Sequence, residues 1–193
     1  MRWKEVDSSH LNAMTMDQLA SCGMIVWPGG YAKVMSQSLI RATRERIRQA
    51  VTERGVGLVG FCAGAFITGS YESGAWGLGL IPVDFDYYQL EYQGVEADTI
   101  DVTLADRISR SLLWYRGPGL DGFGSVVARH PDGSPALAKG WVGKGFVFIS
   151  GPHPEGPQSW RDSFGLTDPD GLDFELDGRI FDATLNQAPM PAF

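Results

Sequence analysis

The sequence predicts an α/β fold with a mostly parallel sheet and an antiparallel hairpin late in the chain. Three observations predict it: short apolar runs that stop at glycine or proline, an amphipathic helix between the first two of them, and a turn signal near residue 132 flanked by apolar segments. Met24-Ile25-Val26-Trp27 ends at Pro28-Gly29-Gly30 and reads as a buried strand running into a tight loop. Residues 36–53 then read as a helix, with Ile40, Ile47, Ala50 and Val51 on one face and Arg41, Arg44, Glu45 and Arg48 on the other. Those arginines, with Arg46, read as a solvated face rather than a phosphate site. Gly55 lies where a left-handed cap would end the helix.

A second apolar run, residues 56–61, leads directly into Gly60-Phe61-Cys62-Ala63-Gly64 and the helix-like stretch 65–70. Residues 71–98 read as a long irregular excursion rich in glycine, tyrosine and acid. Residues 100–104 alternate as a half-buried strand, and 112–115 suggest another. Residues 125–129 and 136–139 flank Pro131-Asp132-Gly133-Ser134, a hairpin turn. Residues 145–150 form the last core strand and end at Gly151-Pro152-His153-Pro154-Glu155. The acidic, Pro- and Gly-punctuated tail after about residue 160 carries one short helix near 179–187. Residues 1–193 read as one domain, without repeats or a linker.

Composition excludes several function classes. A net charge of −7, from 16 basic and 23 acidic residues, argues against nucleic acid or an anionic membrane as partner. No apolar stretch reaches the roughly 18 residues of a spanning helix, and residues 1–7 lack the apolar core of a secretory signal. Two cysteines make neither a disulfide framework nor a metal cluster. The expectation is a cytoplasmic protein with no cofactor, no metal and a small-molecule substrate. Cys22 reads as a small buried hydrophobe, and His130, beside the hairpin turn, as an exposed residue.

The chemistry gathers at the carboxyl ends of three predicted strands, where open parallel sheets collect functional groups. Cys62, flanked by glycines at a strand-to-helix junction, reads as a nucleophile elbow with cysteine as nucleophile. A side chain at Gly60 or Gly64 would crowd the neighbouring backbone, and the helix start beneath Cys62 favours thiolate. His153 and Glu155 are two apart, so extended backbone projects them to the same side. A carboxylate beside an imidazole fixes its tautomer and stabilises the imidazolium, the third role in a nucleophile–base–orienter set. The backbone N–H groups of Gly30 and Ala63 are candidates for an oxyanion hole. Trp27, Tyr31 and Trp76 are candidate pocket walls, as is Gly117-Pro118-Gly119.

The order Pro-Gly-Gly, Gly-x-Cys-x-Gly, His-Pro-Glu resembles the class I glutamine amidotransferase-like superfamily. Within it, residues 60–65 and 150–155 look most like the branch named for the N-terminal domain of eukaryotic biotin-protein ligases. The resemblance runs from about residue 3 to about residue 160. It implies a flavodoxin-like three-layer sandwich, a Cys62–His153–Glu155 triad, and Gly30 with Ala63 at the oxyanion positions. The chain departs from the pattern at Phe66, where glutaminases of this class usually carry glutamine. It departs again at Gly151-Pro152, where they carry glutamine and an aromatic residue, so glutaminase activity is not implied. Ala63 stands where the protease and deglycase branch has histidine.

The resemblance also implies that residues 3–7 form the second strand. A first strand and helix are then missing, and a start upstream, or another chain or second copy completing the sheet, is expected. Two function classes follow from the sequence: a cysteine-dependent hydrolase or amidotransferase-like enzyme, and a non-catalytic binding or regulatory module that keeps the fold.

Overall fold

The computed structural model describes residues 2–70, 76–188 and 190–193. Two short helices, α1 (Ser8–Ala13) and α2 (Met16–Ala20), open it. Asp7 caps the first through His10 N, and Thr15 and Gln18 close a reciprocal capping box on the second. Strand β1 (Met24–Trp27), helices α3 (Ala32–Gln37) and α4 (Arg41–Thr52), strand β2 (Gly57–Phe61) and helix α5 (Ala63–Thr68) follow. A wide excursion leads to β3 (Ala97–Leu104) and β4 (Ser109–Tyr115), then β5 (Ser125–Arg129), β6 (Pro135–Val142) and β7 (Gly145–Ser150). Helices α6 (Gln158–Ser163) and α7 (Phe174–Leu185) complete the order.

The sheet runs β1-β2-β7-β6-β5-β3-β4. β1, β2 and β7 are parallel, and every ladder from β7 outward to β4 is antiparallel. The α/β class and flavodoxin-like layering are as predicted. β2 is buried at every position because both its faces are covered. On one face, Leu19, Ile47, Ala50, Val51, Ala65 and Ile67 from α2, α4 and α5 pack on Leu58, Val147 and Ile149. On the other, Leu176, Ile180 and Ala183 of α7 pack on Val59, Phe61 and Phe148. Among the described residues, no helix is long and apolar enough to cross a membrane.

Several expectations are corrected. Residues 3–7 form no strand, Trp3 is exposed, and β1 ends the sheet with Val26 half exposed. The antiparallel section extends past the 131–134 hairpin to β3–β4, whose turn carries Arg107 at φ 67 and no glycine to announce it. The helix expected over 36–53 is two helices broken at 38–40, with Ile40 on the surface. Arg44 and Arg46 are clamps rather than solvated charges: Arg44 donates to the Ser36 and Leu39 carbonyls, and Arg46 to Asn12 O and Thr43 Oγ1. Cys22 is only partly buried.

The sheet curls until its last strand meets its middle. His153 N–H donates to Leu113 O of β4 at 2.7 Å, and Gly117 and Gly151 touch so closely that a Cβ on Gly117 would lie 2.1 Å from Gly151 O. His130 sits inside this curl at 3% exposure, against the expectation of an exposed residue. Its ring stacks on Tyr88 at 3.8 Å, and neither ring nitrogen has a hydrogen-bond partner. Burial therefore pushes its pKa down to about 4. The unfolded chain takes up this proton first as acid is added, so stability falls as pH drops from about 6.5 to about 4 and levels below that. Urea denaturation over this range should show His130→Phe losing a pH-dependent component on the order of 3 kcal/mol. Identical pH slopes for the two proteins would refute the assignment.

Candidate active site

Cys62 stands between the end of β2 and the first residue of α5 with φ 47 and ψ −102, a conformation that costs a side-chain-bearing residue on the order of 1–3 kcal/mol. Its N–H continues the β2–β7 ladder by donating to Ser150 O at 2.8 Å. The flanking glycines are obligatory on steric grounds. A Cβ on Gly60 would lie 2.7 Å from the Gly64 carbonyl carbon, and one on Gly64 would lie 2.3 Å from Trp27 O. This close helix–strand contact forms the elbow and leaves the sulfur at the carboxyl end of the parallel strands.

His153 and Glu155 follow β7 on the adjoining loop. Glu155 Oε1 lies 2.8 Å from His153 Nδ1, which places the imidazole's free Nε2 toward the cysteine side. The imidazole is 1% exposed. Burial alone would lower its pKa. The Glu155 carboxylate and the Cys62 sulfur outweigh that burial and raise it to about 10. His153 Nε2 is buried and makes no hydrogen bond within the protein, while the Cys62 thiol donates to Tyr115 O of β4 at 3.5 Å. The sulfur thus rests on a backbone carbonyl with the imidazole beside it.

The ring is held from both sides. A Cβ on Gly29 would lie 2.2 Å from His153 Cε1, so the Pro28-Gly29-Gly30 loop presses bare backbone on the imidazole. Trp160 of α6 meets it edge-on at 5.4 Å. Arg161, fully buried, fixes the loop from behind. It donates to Gly156 O at 2.6 Å and pairs with Asp168 at 2.6 Å and Asp173 at 3.3 Å. Burial, then the charges of Asp168 and Asp170, push the Asp173 carboxyl up to about 7 despite Arg161.

The structure therefore brings Cys62, His153 and Glu155 together. Gly29, not singled out as a site residue by the sequence, is the glycine against the imidazole; Gly30, at φ 143, faces Met35. Ala63 lies in the first turn of α5, where amides have no helical acceptor. Of the predicted walls, Trp27 is in the core, Tyr31 is exposed, and Trp76 packs on Arg44 at 5.6 Å. Residues 117–119 do border the site, through Gly151. Two aromatic pairs form on elements of the site: Phe66 of α5 on Tyr87 at 5.1 Å and Tyr115 of β4 on Phe164 at 5.0 Å. Trp160, Arg161, Tyr115 and Phe164 escaped the sequence reading because each joins the site only through the curl or the folding back of the tail. No group of three potential metal ligands occurs among the described residues.

No protein-family model matches the chain, and no curated protein is similar to it in sequence. A crystal structure of a glutamine amidotransferase is similar at 25% identity with a TM-score of 0.58, covering 79% of this chain and 77% of that one. The likeness supports a glutamine amidotransferase-like fold.

The Gly29 contact is the most exposed to test. Gly29→Ala should drive the imidazole from its seat and lower the rate of Cys62 alkylation by iodoacetamide by about 10-fold or more. Far-UV circular dichroism should remain that of the wild type. An unchanged alkylation rate would show that the imidazole does not act on the sulfur.

Proposed function

We propose that this protein is a cysteine-nucleophile hydrolase or amidotransferase-like enzyme acting on a small amide or ester through a thioester. The observation that carries the proposal is the buried His153, fastened to Glu155 at 2.8 Å beside a cysteine held in a strained elbow. Titratable groups perturbed by burial together with a specific charge partner cluster at functional sites.

In this reading the thiol leaves Tyr115 O and gives its proton to His153 Nε2. The thiolate adds to the substrate carbonyl carbon, and the carbonyl oxygen takes the electron pair, facing the Gly30 and Ala63 amides. When the tetrahedral species collapses, the leaving amine or alcohol takes the proton from Nε2 and the acyl group stays on sulfur. Water, or an acceptor amine, then attacks the thioester with His153 as base, and Cys62 regains its proton. Glu155 keeps the imidazole in register and stabilises its cation throughout. Phe66 packs against Tyr87, and Tyr115 against Phe164, so the acyl group meets aromatic walls rather than carboxamide partners. Glutamine is therefore not the proposed substrate. The biotin-protein ligase branch remains the proposed affinity within the fold.

A non-catalytic binding module is the second reading. It is favoured by one observation: the thiol donates to the Tyr115 carbonyl. Alkylation separates the two. For an enzyme, Cys62 should react at pH 7 at least about 10-fold faster than free cysteine, Cys62→Ala should abolish this fast labelling and leave only that of Cys22, and His153→Ala should slow it. Labelling no faster than free cysteine would sink the enzyme reading. Ammonia release from glutamine is expected to be absent. For a substrate that is turned over, the alkaline limb of kcat/KM should lie well above the ordinary histidine range, because Glu155 holds the imidazolium. Glu155→Gln should move that limb down.

A further inference from the structure

Trp160 in α6 and Phe164 at that helix's C-terminal cap are four residues apart, which puts them on one face of the helix. That face meets the candidate site at both points. The Trp160 ring lies 5.4 Å from the His153 imidazole at 85°, and the Phe164 ring lies 5.0 Å from that of Tyr115. His153 stands beside Cys62, and the Tyr115 carbonyl accepts from the Cys62 thiol. Both rings therefore bear on residues that adjoin the sulfur. Cys62 and His153 are 5% and 1% exposed, whereas Trp160 and Phe164 are 39% and 40% exposed. An aromatic surface open to water thus borders a sulfur and an imidazole that are closed to it.

We propose that Trp160 and Phe164 form the platform that receives the non-reacting part of the substrate, and that this part is a flat, neutral aromatic group. This rests on the reading of Cys62 as a nucleophile, and it makes aryl-bearing amides or esters the substrate class. The polar groups of α6 are spent elsewhere. Gln158 donates to Asp162 at 2.8 Å, Ser163 Oγ donates to the Ser159 carbonyl at 2.8 Å, and Arg161 is buried on Gly156 O, Asp168 and Asp173.

The end of β4 is similarly committed. Tyr115 OH is hydrogen-bonded to Glu96, and Arg116 gives its Nε to Glu91 at 3.0 Å. An anionic substrate would find both guanidiniums occupied and meet the carboxylates of Glu96 and Glu155. A neutral ring meets no such penalty. It takes the open faces of Trp160 and Phe164 out of water, and ring-to-ring contact adds an attraction beyond the area buried. An aliphatic group of equal size gains the burial without that attraction.

The test compares three alkylating probes on the full chain: iodoacetamide, N-phenyliodoacetamide and N-cyclohexyliodoacetamide. Labelling is read at the Cys62 peptide by mass spectrometry, so that Cys22 does not enter. Each rate is divided by that of the same probe with free cysteine, which removes the probe's own reactivity. On this scale the phenyl probe should exceed iodoacetamide at Cys62 by about 10-fold or more, and the cyclohexyl probe by about 3-fold or more. Trp160 also touches the imidazole, so the preference between probes, not the absolute rate, is the readout. Trp160→Leu and Phe164→Leu keep apolar bulk without a ring, and each should cut the phenyl preference by about 3-fold or more. Trp160→Phe should keep about half of it or more. A wild-type phenyl preference below about 3-fold, one matched by the cyclohexyl probe, or one that survives both leucine substitutions together overturns the proposal. If iodoacetamide labels wild-type Cys62 no faster than free cysteine, the nucleophile reading fails, and the preference between probes still decides the platform.

Discussion

Cys62 holds a left-handed backbone because α5 is pressed onto the ends of β1 and β2, and that approach depends on two residues with no side chain. Gly60 meets the Gly64 carbonyl group, and Gly64 meets the Trp27 carbonyl; a methyl at either would overlap backbone, which cannot move aside as a flexible side chain can. The strain at Cys62 is then imposed by its surroundings, with the Cys62 N–H pinned to Ser150 O as the third point of restraint. The candidate site is arranged around that fixed sulfur. The same parallel triplet, β1, β2 and β7, ends in the Pro-Gly-Gly loop, the elbow and the His-Pro-Glu loop. Gly29 can therefore lie on the imidazole beside Cys62.

The antiparallel half has a different task. Because the sheet curls, β4, farthest from β1 in strand order, comes back to the site at its carboxyl end. It gives the Leu113 carbonyl to His153 N–H and the Tyr115 carbonyl to the Cys62 thiol. The tail closes the remaining side. Trp160 edges the imidazole and Arg161 ties the loop after Glu155 to Asp168 and Asp173, so the His-Pro-Glu segment is bound on one flank by sheet and on the other by a buried ion cluster. Removing one partner from such a cluster leaves uncompensated buried charge, which is why the tail is part of the site's rigidity.

The elbow and the His-Pro-Glu loop were legible because their determinants are local. Glycines at fixed spacing around a nucleophile, and a histidine two residues from a carboxylate, specify their geometry within a few residues of chain. The apolar runs of β1, β2 and β7 were legible for the same reason. The break between α3 and α4 was not. Ile40 falls on the apolar side of the helical pattern yet is exposed, because Asn12 binds the Ile40 N–H and the Ser38 carbonyl and ends the turn from outside. His130 was misread for a related reason: its neighbours in sequence are turn residues, but its ring stacks on Tyr88, more than forty positions away, at 3.8 Å. The β3–β4 hairpin hid behind Arg107, which adopts φ 67 without being glycine or asparagine. Arg161 belongs by sequence to a charged tail, and only the fold shows that it is buried.

The site's protons follow from its dryness. Sulfur and imidazole are nearly closed to solvent, with the Glu155 carboxylate on the ring, so every ionisation must be matched by a neighbour. Two placements of the Cys62 proton satisfy this. With the proton on sulfur, the thiol donates to Tyr115 O and the imidazole is neutral, which is the hydrogen bond the structure holds. With the proton on Nε2, thiolate and imidazolium form a pair that Glu155 stabilises, and the Glu155 and Cys62 charges raise the His153 pKa against its burial. Tyr115 O and Glu155 therefore pull one proton in opposite directions. In the proposed reaction, a substrate carbonyl reaching the sulfur displaces the first acceptor and leaves the second in place. Substrate arrival would then tip the proton toward His153 at the moment the thiolate is needed.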